Sequence, residues 1–369
     1  MSKSLLCAPT VCAVGENYQI LVPTTCDLLV RCVVDEHEFF DHVNGVQKYT
    51  GRVRKFTVPM ALLDRARGYT LLCREMLLPL PYRPVVGETE TLDFPFRPLE
   101  KTENIHLCQI ADSHGAVDEA IKVGLFGDKL DLLLLNGDIA SASSTEKELL
   151  MTYRISGSIT KGEIPCVIVR GNHDLRGILA QRLDEYMPCD NGRSYYSFRL
   201  GCIAGLALDC GEDKADDHPE YGGTICCHAF RAEETAFLQK AAKATGREDG
   251  ILYRLVVAHH PFPYVIEPPF DIEQDTYAAW CKILREDYHP DLLLSGHLHC
   301  LAISEPGGAY DSLGQPCTVL IGSDHQRNAD KTAVCYTGIH VSLAKGTAKV
   351  QFVDSANGLR EEHTVRLPG

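Results

Sequence analysis

Val167-Ile168-Val169-Arg170-Gly171-Asn172-His173-Asp174, residues 167–174, runs from an apolar, β-branched trio into glycine and then three side chains able to hold metal or move protons. An apolar run that ends in polar chemistry puts that chemistry where a strand stops and a loop begins, the place where open α/β sheets build their sites. Four further stretches repeat the pattern. Ile105–Ile110 leads to Asp112-Ser113-His114, Leu132–Leu135 to Gly137-Asp138, Leu255–Val257 to His259-His260-Pro261, and Leu292–Leu294 to Gly296-His297-Leu298-His299.

Between these runs lie helical patterns at 117–129, 145–159, 176–186, 231–244 and 275–286, so strand and helix alternate as in a layered α/β domain. The tail, 333–354, carries two β runs (336–343 and 348–353) joined at Lys345-Gly346, a hairpin expected to close one sheet edge. The first hundred residues differ. Their runs at 18–22, 27–34, 53–58 and 69–73 are separated by turn residues at short intervals, which reads as an antiparallel β-sandwich. Leu63 to Tyr69 resembles the corner before a late strand of immunoglobulin-like and fibronectin-type domains, where a Tyr hydroxyl bonds back to nearby backbone; the same residues also fit a helical turn before an ordinary strand. Pro79, Pro81, Pro84, Pro95 and Pro98 suit a connector. The expected division is a small β-sandwich domain at 1–98 and an α/β domain at 104–369, with the boundary at 99–103.

The chain of 369 residues is too long for one ordinary core, and its net charge of −14 disfavours nucleic acid and anionic membrane as partners. No stretch approaches the roughly 18 apolar residues of a membrane span. There are 16 cysteines but no CxxC pair, and no long apolar signal core at the start, so reduced thiols and a cytoplasmic location are expected. Cys73, Cys108, Cys166, Cys202 and Cys335 lie in apolar runs, where free Cys behaves as a small hydrophobe.

Hydrolysis of a phosphate ester needs a nucleophile made from water at neutral pH, charge neutralisation on the phosphoryl oxygens and a proton for the leaving group. Two metal ions about 3.5 to 4 Å apart meet the first two needs. Asp112, His114, Asp138, Asn172, His259, His297 and His299 supply mixed N and O ligands. In order, DxH, GD, GNHD, HxP and GHxH resemble the calcineurin-like metallophosphoesterase superfamily, over about residues 105 to 355. The resemblance implies a four-layer sandwich of two mixed β-sheets flanked by helices and in-line attack by a metal-bound hydroxide. It further implies that Asp112, His114 and His299 hold one metal and Asn172, His259 and His297 the other, with Asp138 bridging. His173 would face the substrate as general acid or charge stabiliser, oriented by Asp174. On residue type alone either His259 or His260 fits the ligand role; the HxP pattern selects His259, with His260 lining the pocket. His106, His218, His228, His289, His325 and His340 are read as ordinary loop or packing residues. Gly137, Gly171 and Gly296 are expected to supply φ angles that only glycine tolerates cheaply.

A sandwich ahead of such a domain is also the layout of purple acid phosphatases, but those carry Tyr three residues after the bridging Asp, where this chain has Ser141, and they lack the His at 114. Imidazole-rich ligation without a phenolate suits two divalent ions, Mn, Fe or Zn, rather than obligatory ferric iron. The polar stretch 208–223 is expected to shape the pocket rim, and Arg176 to reach a substrate phosphate as a forked donor. The favoured substrate is a small phosphorylated metabolite. A phosphodiesterase acting on cyclic nucleotides or other diesters is the alternative, and a catalytically inert metal-binding interaction module the rival of another class. A homo-oligomer stays open.

Overall fold

The computed structural model describes residues 2–100, 102–127, 129–246, 249–327 and 334–368. Lys101 in the expected junction, Asp128 near the end of the first expected helix and Ala333 at the head of the last expected segment lie outside the described residues.

Strand Leu132–Asn136 shows why the α/β part has four layers. Successive side chains of a strand point to opposite faces. Leu132 and Leu134 enter a core shared with Leu255, Val257, Leu292 and Leu294 of a second sheet, while Leu133 and Leu135 pack with Val117, Val123, Tyr153 and Ile155 of helices Val117–Gly124 and Met151–Thr160. On the second sheet Val256 and Leu293 meet Leu238, Trp280 and Cys281 of helices Cys227–Ala244 and Gln274–Ile283. Strands buried on both faces are written as continuous apolar runs, which is why these three are legible in the sequence.

The large sheet runs in the order Gly358–Arg366, Thr347–Asp354, Val334–Ala344, Ile105–Ile110, Leu132–Asn136, Pro165–Val169, Thr10–Val14, Asn17–Pro23, Val53–Pro59, with Asp324–Arg327 paired to Val334–Ala344. The second sheet runs Tyr196–Leu200, Ile203–Leu208, Tyr253–Ala258, Leu292–Ser295, Thr318–Gly322, Leu301–Ser304. In both sheets the strands that carry the motifs are parallel, so all five motifs emerge at one end. The expected hairpin forms, but a third strand, Gly358–Arg366, lies outside it and makes the edge.

The first hundred residues are strand-rich, and three of their strands extend the large sheet. Thr10–Val14 pairs in parallel with Pro165–Val169, Val11 opposite Pro165 and Cys12 opposite Cys166, so Thr10–Val14, Asn17–Pro23 and Val53–Pro59 continue the large sheet. The sheet of Glu90–Pro95, Gly68–Leu78, Leu28–Val34 and His37–Phe40 covers them. Its Val30, Cys32, Leu71 and Cys73 share one hydrophobic cluster with Ile20, Phe56, Leu134 and Leu255. One hydrophobic cluster thus takes in residues from both sides of 99–103. The corner reading of Tyr69 also changes. Met60–Ala66 is a helix closed by Arg67 in the left-handed conformation, and the Tyr69 hydroxyl donates 3.1 Å to the carbonyl of Gly162, across the expected boundary rather than to nearby backbone.

The helix expected at 176–186 does not form as one piece. Arg176 is extended and Gly177 has φ near 107°, leaving a 3-10 turn, Ala180–Arg182, and a single helical turn, Leu183–Tyr186. The 16 cysteines are all free thiols. Among the described residues no helix is long and apolar enough to cross a membrane.

Candidate metal centre

The two sheets are tied together directly beneath the motifs. Asn136 ends its strand with a buried amide that donates to the carbonyls of Ala258 and Leu294 at 3.3 and 3.0 Å, and to Gln109 Oε1 at 3.2 Å. Gln109 in turn donates to the Ser295 carbonyl. Buried polar groups with this many partners fix position rather than merely satisfy themselves. The strand ends of both sheets are thus held in one frame.

On that frame Asp112, His114 and His299 offer ligand atoms within 4.8 Å of one another, and so do Asp112, Asp138 and His259. His259 Nε2 is 3.5 Å from Asp112 Oδ1 and 3.3 Å from Asp138 Oδ2. On the other side His114 Nε2 is 3.9 Å from the same Asp138 Oδ2, and His114 and His299 face each other through Nε2 at 3.3 Å. His297 Nδ1 lies 3.1 Å from Asn172 Oδ1. All seven residues chosen from the sequence therefore converge. Asp138 stands between the His114 and His259 sides.

His259 and His260 differ in their hydrogen bonding. His259 uses Nδ1 on the Asn136 carbonyl at 2.7 Å and turns Nε2 to the two carboxylates, the arrangement by which a second-layer carbonyl fixes the tautomer of a ligating imidazole. His260 is buried, packs its ring 4.1 Å from that of His297, and lines a cavity with His297 and Asp213.

Five of the seven residues adopt a backbone conformation that L-residues avoid: Asp112, His114, Asp138, His297 and His299 have φ of 48°, 41°, 55°, 67° and 50°. Each such residue costs on the order of 1 kcal/mol or more and persists only where surroundings impose it. Of the three glycines, only Gly137 has a positive φ, 79°. Gly171 and Gly296 serve a different end, close approach. A Cβ on Gly171 would lie 2.2 Å from Asp138 Oδ1, and one on Gly296 2.4 Å from Asp112 Oδ2. Because the His297 backbone amide donates to that same Oδ2 at 2.9 Å and the Ser323 hydroxyl donates to it as well, the carboxylate has no room to yield. Gly296→Ala should weaken metal affinity by about 10-fold or more, the scale on which displaced supports of ligands act. Calorimetric titration with Mn²⁺ checks it; unchanged affinity would show the approach to be slack.

The donor set fits a cation. Asp112 Oδ1 is buried without a hydrogen-bond donor although it points at two imidazoles, and an acceptor left so among acceptors costs free energy unless positive charge is supplied. Burial alone pushes His259 down, but the Asp138 and Asp112 carboxylates outweigh it and raise it to about 10: the pair recruits a proton where metal charge is lacking. Burial pushes His114 and His297 down to about 4, keeping them neutral and able to ligate.

Around His173 the geometry corrects two expectations. Asp174 does not orient the imidazole. Its Oδ2 accepts from the backbone amides of Gly171 at 2.7 Å and Asp138 at 3.2 Å, joining two motif loops, and burial together with repulsion from Asp138 lifts it to about 6. The His173 ring is set instead by the Ser141 carbonyl, 2.9 Å from Nδ1, and its Nε2 lies 3.3 Å from Arg176 Nη1. Nor is Arg176 free to fork a phosphate. Its Nε and Nη2 both bond Glu212 at 2.9 Å, and Nη2 also reaches Asp213.

Three supports escaped sequence reading. Ser323 and His325 approach Asp112 from the Thr318–Gly322 and Asp324–Arg327 strand ends, His325 with Nε2 on the Asp112 carbonyl, and its ring lies 5.9 Å from that of His299. The stretch 208–223 lies beside the cluster, where a rim is expected, with Asp209, Glu212, Asp213 and Lys214 buried and Asp213 touching Asn172. No ligand-type spacing marks these positions.

Residues 105–301 match the family model described as calcineurin-like phosphoesterase. A "probable cyclic nucleotide phosphodiesterase" of Fibrobacter succinogenes is 35% identical over 132 residues, 36% of this chain and 42% of that relative, so the match spans less than half of the relative's length. Among solved structures, a purple acid phosphatase from yellow lupin (Lupinus luteus) seeds superposes with a TM-score of 0.61 at 12% identity, covering 98% of this chain and 74% of the other. PhoD does so with 0.52 at 11% identity, covering 99% and 89%. At these identities the structural likeness concerns the fold alone.

Proposed function

The chain belongs to the calcineurin-like phosphoesterase family, whose match takes in more than half its length, and from that premise we propose a dinuclear phosphodiesterase in which the seven convergent side chains hold two divalent ions. The family makes it a metal-dependent hydrolase of phosphoric esters; the ion count, residue roles and substrate are our proposal. Asp112, His114 and His299 would hold one ion and Asn172, His259 and His297 the other, with Asp138 shared. Bound there, the ions would supply a nucleophile from water at neutral pH and neutralise charge on the phosphoryl oxygens. His173, its Nδ1–H fixed on the Ser141 carbonyl, holds or moves a proton at Nε2 beside the leaving oxygen. Asp174 keeps the Asp138 and Asn172 loops in register.

The choice of diester over monoester rests on one observation: the cations beside the site are already paired. Arg176 is bound by Glu212 and Asp213, and Lys214 Nζ lies 2.9 Å from Asp213 and 3.1 Å from Glu220. A dianionic monoester asks for positive charge beyond the ions, whereas a diester monoanion does not. A cyclic nucleotide is a diester of this kind, in keeping with the name of the Fibrobacter relative. The small phosphorylated metabolite favoured from sequence is the second reading, supported by the compact cluster of ligands.

The test is Mn²⁺-dependent turnover of bis(nitrophenyl) phosphate, nitrophenyl phosphate and 3′,5′-cyclic nucleotides. The diesters should exceed the monoester in kcat/KM by about 10-fold or more, on the order of 1.4 kcal/mol in barrier. The reverse ratio would move the assignment to monoesters, and no turnover with any metal would favour an inert metal-binding module.

A further inference from the structure

Asn172 is a ligand candidate whose usefulness depends on which way round it sits. Its amide has an oxygen that can ligate and a nitrogen that cannot, and the two are related by a half-turn about the last side-chain bond. One end of the amide lies 3.3 Å from Asp138 Oδ2 and 3.1 Å from His297 Nδ1; the other lies 3.1 Å from Arg176 Nη2 and 3.3 Å from Asp213 Oδ2. Hydrogen bonding inside the cluster would favour the nitrogen toward Asp138 and the oxygen toward Arg176, which would spoil the site.

The hydrogens of Arg176 decide otherwise. Nη2 carries two. One goes to Glu212 Oε2 at 2.9 Å and the other to Asp213 Oδ1 at 3.3 Å, so none remains for an Asn172 oxygen. The Asp213 carboxylate instead receives two nitrogens side by side, Arg176 Nη2 on Oδ1 and Asn172 Nδ2 on Oδ2. Adjacent donors on the two oxygens of one carboxylate are neighbours of necessity, which accounts for two nitrogens 3.1 Å apart. Reversing the amide would set its oxygen against Asp213 Oδ2, acceptor on acceptor, in a buried setting where that is costly. Asp213 cannot swing away, because Oδ1 is also held by Lys214 Nζ and the Tyr221 hydroxyl, each at 2.9 Å.

We infer that Asp213 is a positioning residue: with Glu212 occupying Arg176, it locks the Asn172 amide with nitrogen outward and oxygen toward Asp138 and His297, presenting that oxygen to a divalent cation. The 208–223 stretch thereby sets metal affinity from outside the ligand set. The inference rests on the proposed dinuclear reading.

Its test is a double-mutant cycle read by calorimetric titration of the full chain with Mn²⁺, with the unfolding temperature of the metal-free chain as a control of folding. In Asp213→Ala one of two binding steps should weaken about 10- to 100-fold, the scale of second-layer losses, while the other holds. Asp213→Asn, which keeps an acceptor oxygen and the shape, should lose less and serves if the alanine variant folds poorly. In an Asn172→Asp background the ligand is a symmetric carboxylate with nothing to orient, and Asp213 becomes a like charge. Removing Asp213 there should leave Mn²⁺ affinity unchanged or raise it. Equal weakening in both backgrounds would reduce Asp213 to a packing role and overturn the inference, as would two unchanged steps in Asp213→Ala. A wild-type chain that takes up fewer than two ions would fail earlier, at the dinuclear reading itself.

Discussion

Asp138→Asn should lower kcat/KM by about 10³-fold or more, roughly 4 kcal/mol of barrier, and reduce the bound metal to one ion or none. The substitution is nearly isosteric. Oδ1 of Asp138 accepts from the His173 backbone amide at 2.9 Å, a bond that an asparagine oxygen keeps, so the loop that carries His173 holds its place. The substitution removes the negative charge and the free oxygen, Oδ2, which lies 3.3 Å from His259 and 3.9 Å from His114. Asp112 Oδ1 also spans the two sides, 3.5 Å from His259 and 3.7 Å from His299, so the variant keeps one shared carboxylate of the two. His259 should respond visibly: the largest influence on it is burial, which lowers it, and with Asp138 neutral only Asp112 and the Asn136 carbonyl oppose burial, so in the metal-free chain His259 titrates lower than the value near 10 reached with both carboxylates. Metal content by elemental analysis, together with kcat/KM at saturating Mn²⁺, measures the effect. Activity within 10-fold of wild type with two ions bound would remove Asp138 from the shared position.

The ligands could be read because a parallel strand buried on both faces is written as an unbroken apolar run, and the loop after such a run opens at one end of the sheet. Thr10–Val14 obeys the same rule, being wholly buried, but the residues after it, Gly15-Glu16-Asn17, match none of the five motifs, so nothing in the sequence marks it as part of this sheet. Gly358–Arg366 is mostly exposed and charged, as an edge strand should be, and so carries no apolar signal. Its neighbours define it, through pairing that sequence does not show.

The errors in the site share one physical source. Nearness in sequence makes Asp174 and Arg176 look like partners of His173 and of phosphate, but Arg176 leaves the turn extended and Gly177 at φ 107° redirects the chain. Arg176 is thereby brought to Glu212, 36 residues later. Conversely Asp213 lies 41 residues from the Asn172 it touches. Ligand types announce themselves by chemistry, whereas the groups that orient ligands are defined only by contact.

His173→Ala should cost about 10²- to 10⁴-fold in kcat for a nucleoside or alkyl leaving group, the usual span of general acid catalysis, and far less for nitrophenolate, which departs without a proton. The contrast between leaving groups matters more than either loss alone. The Ser141 carbonyl takes Nδ1–H, so the proton that reaches substrate must travel through Nε2, the nitrogen that faces Arg176 Nη1 at 3.3 Å. If His173 only stabilised charge on phosphorus, both leaving groups would suffer alike, since the phosphoryl oxygens are the same in each. Parallel kcat measurements on bis(nitrophenyl) phosphate and a cyclic nucleotide separate the roles. Equal losses would replace the acid by an electrostatic stabiliser, and no loss with either would place the His173 ring outside the reaction.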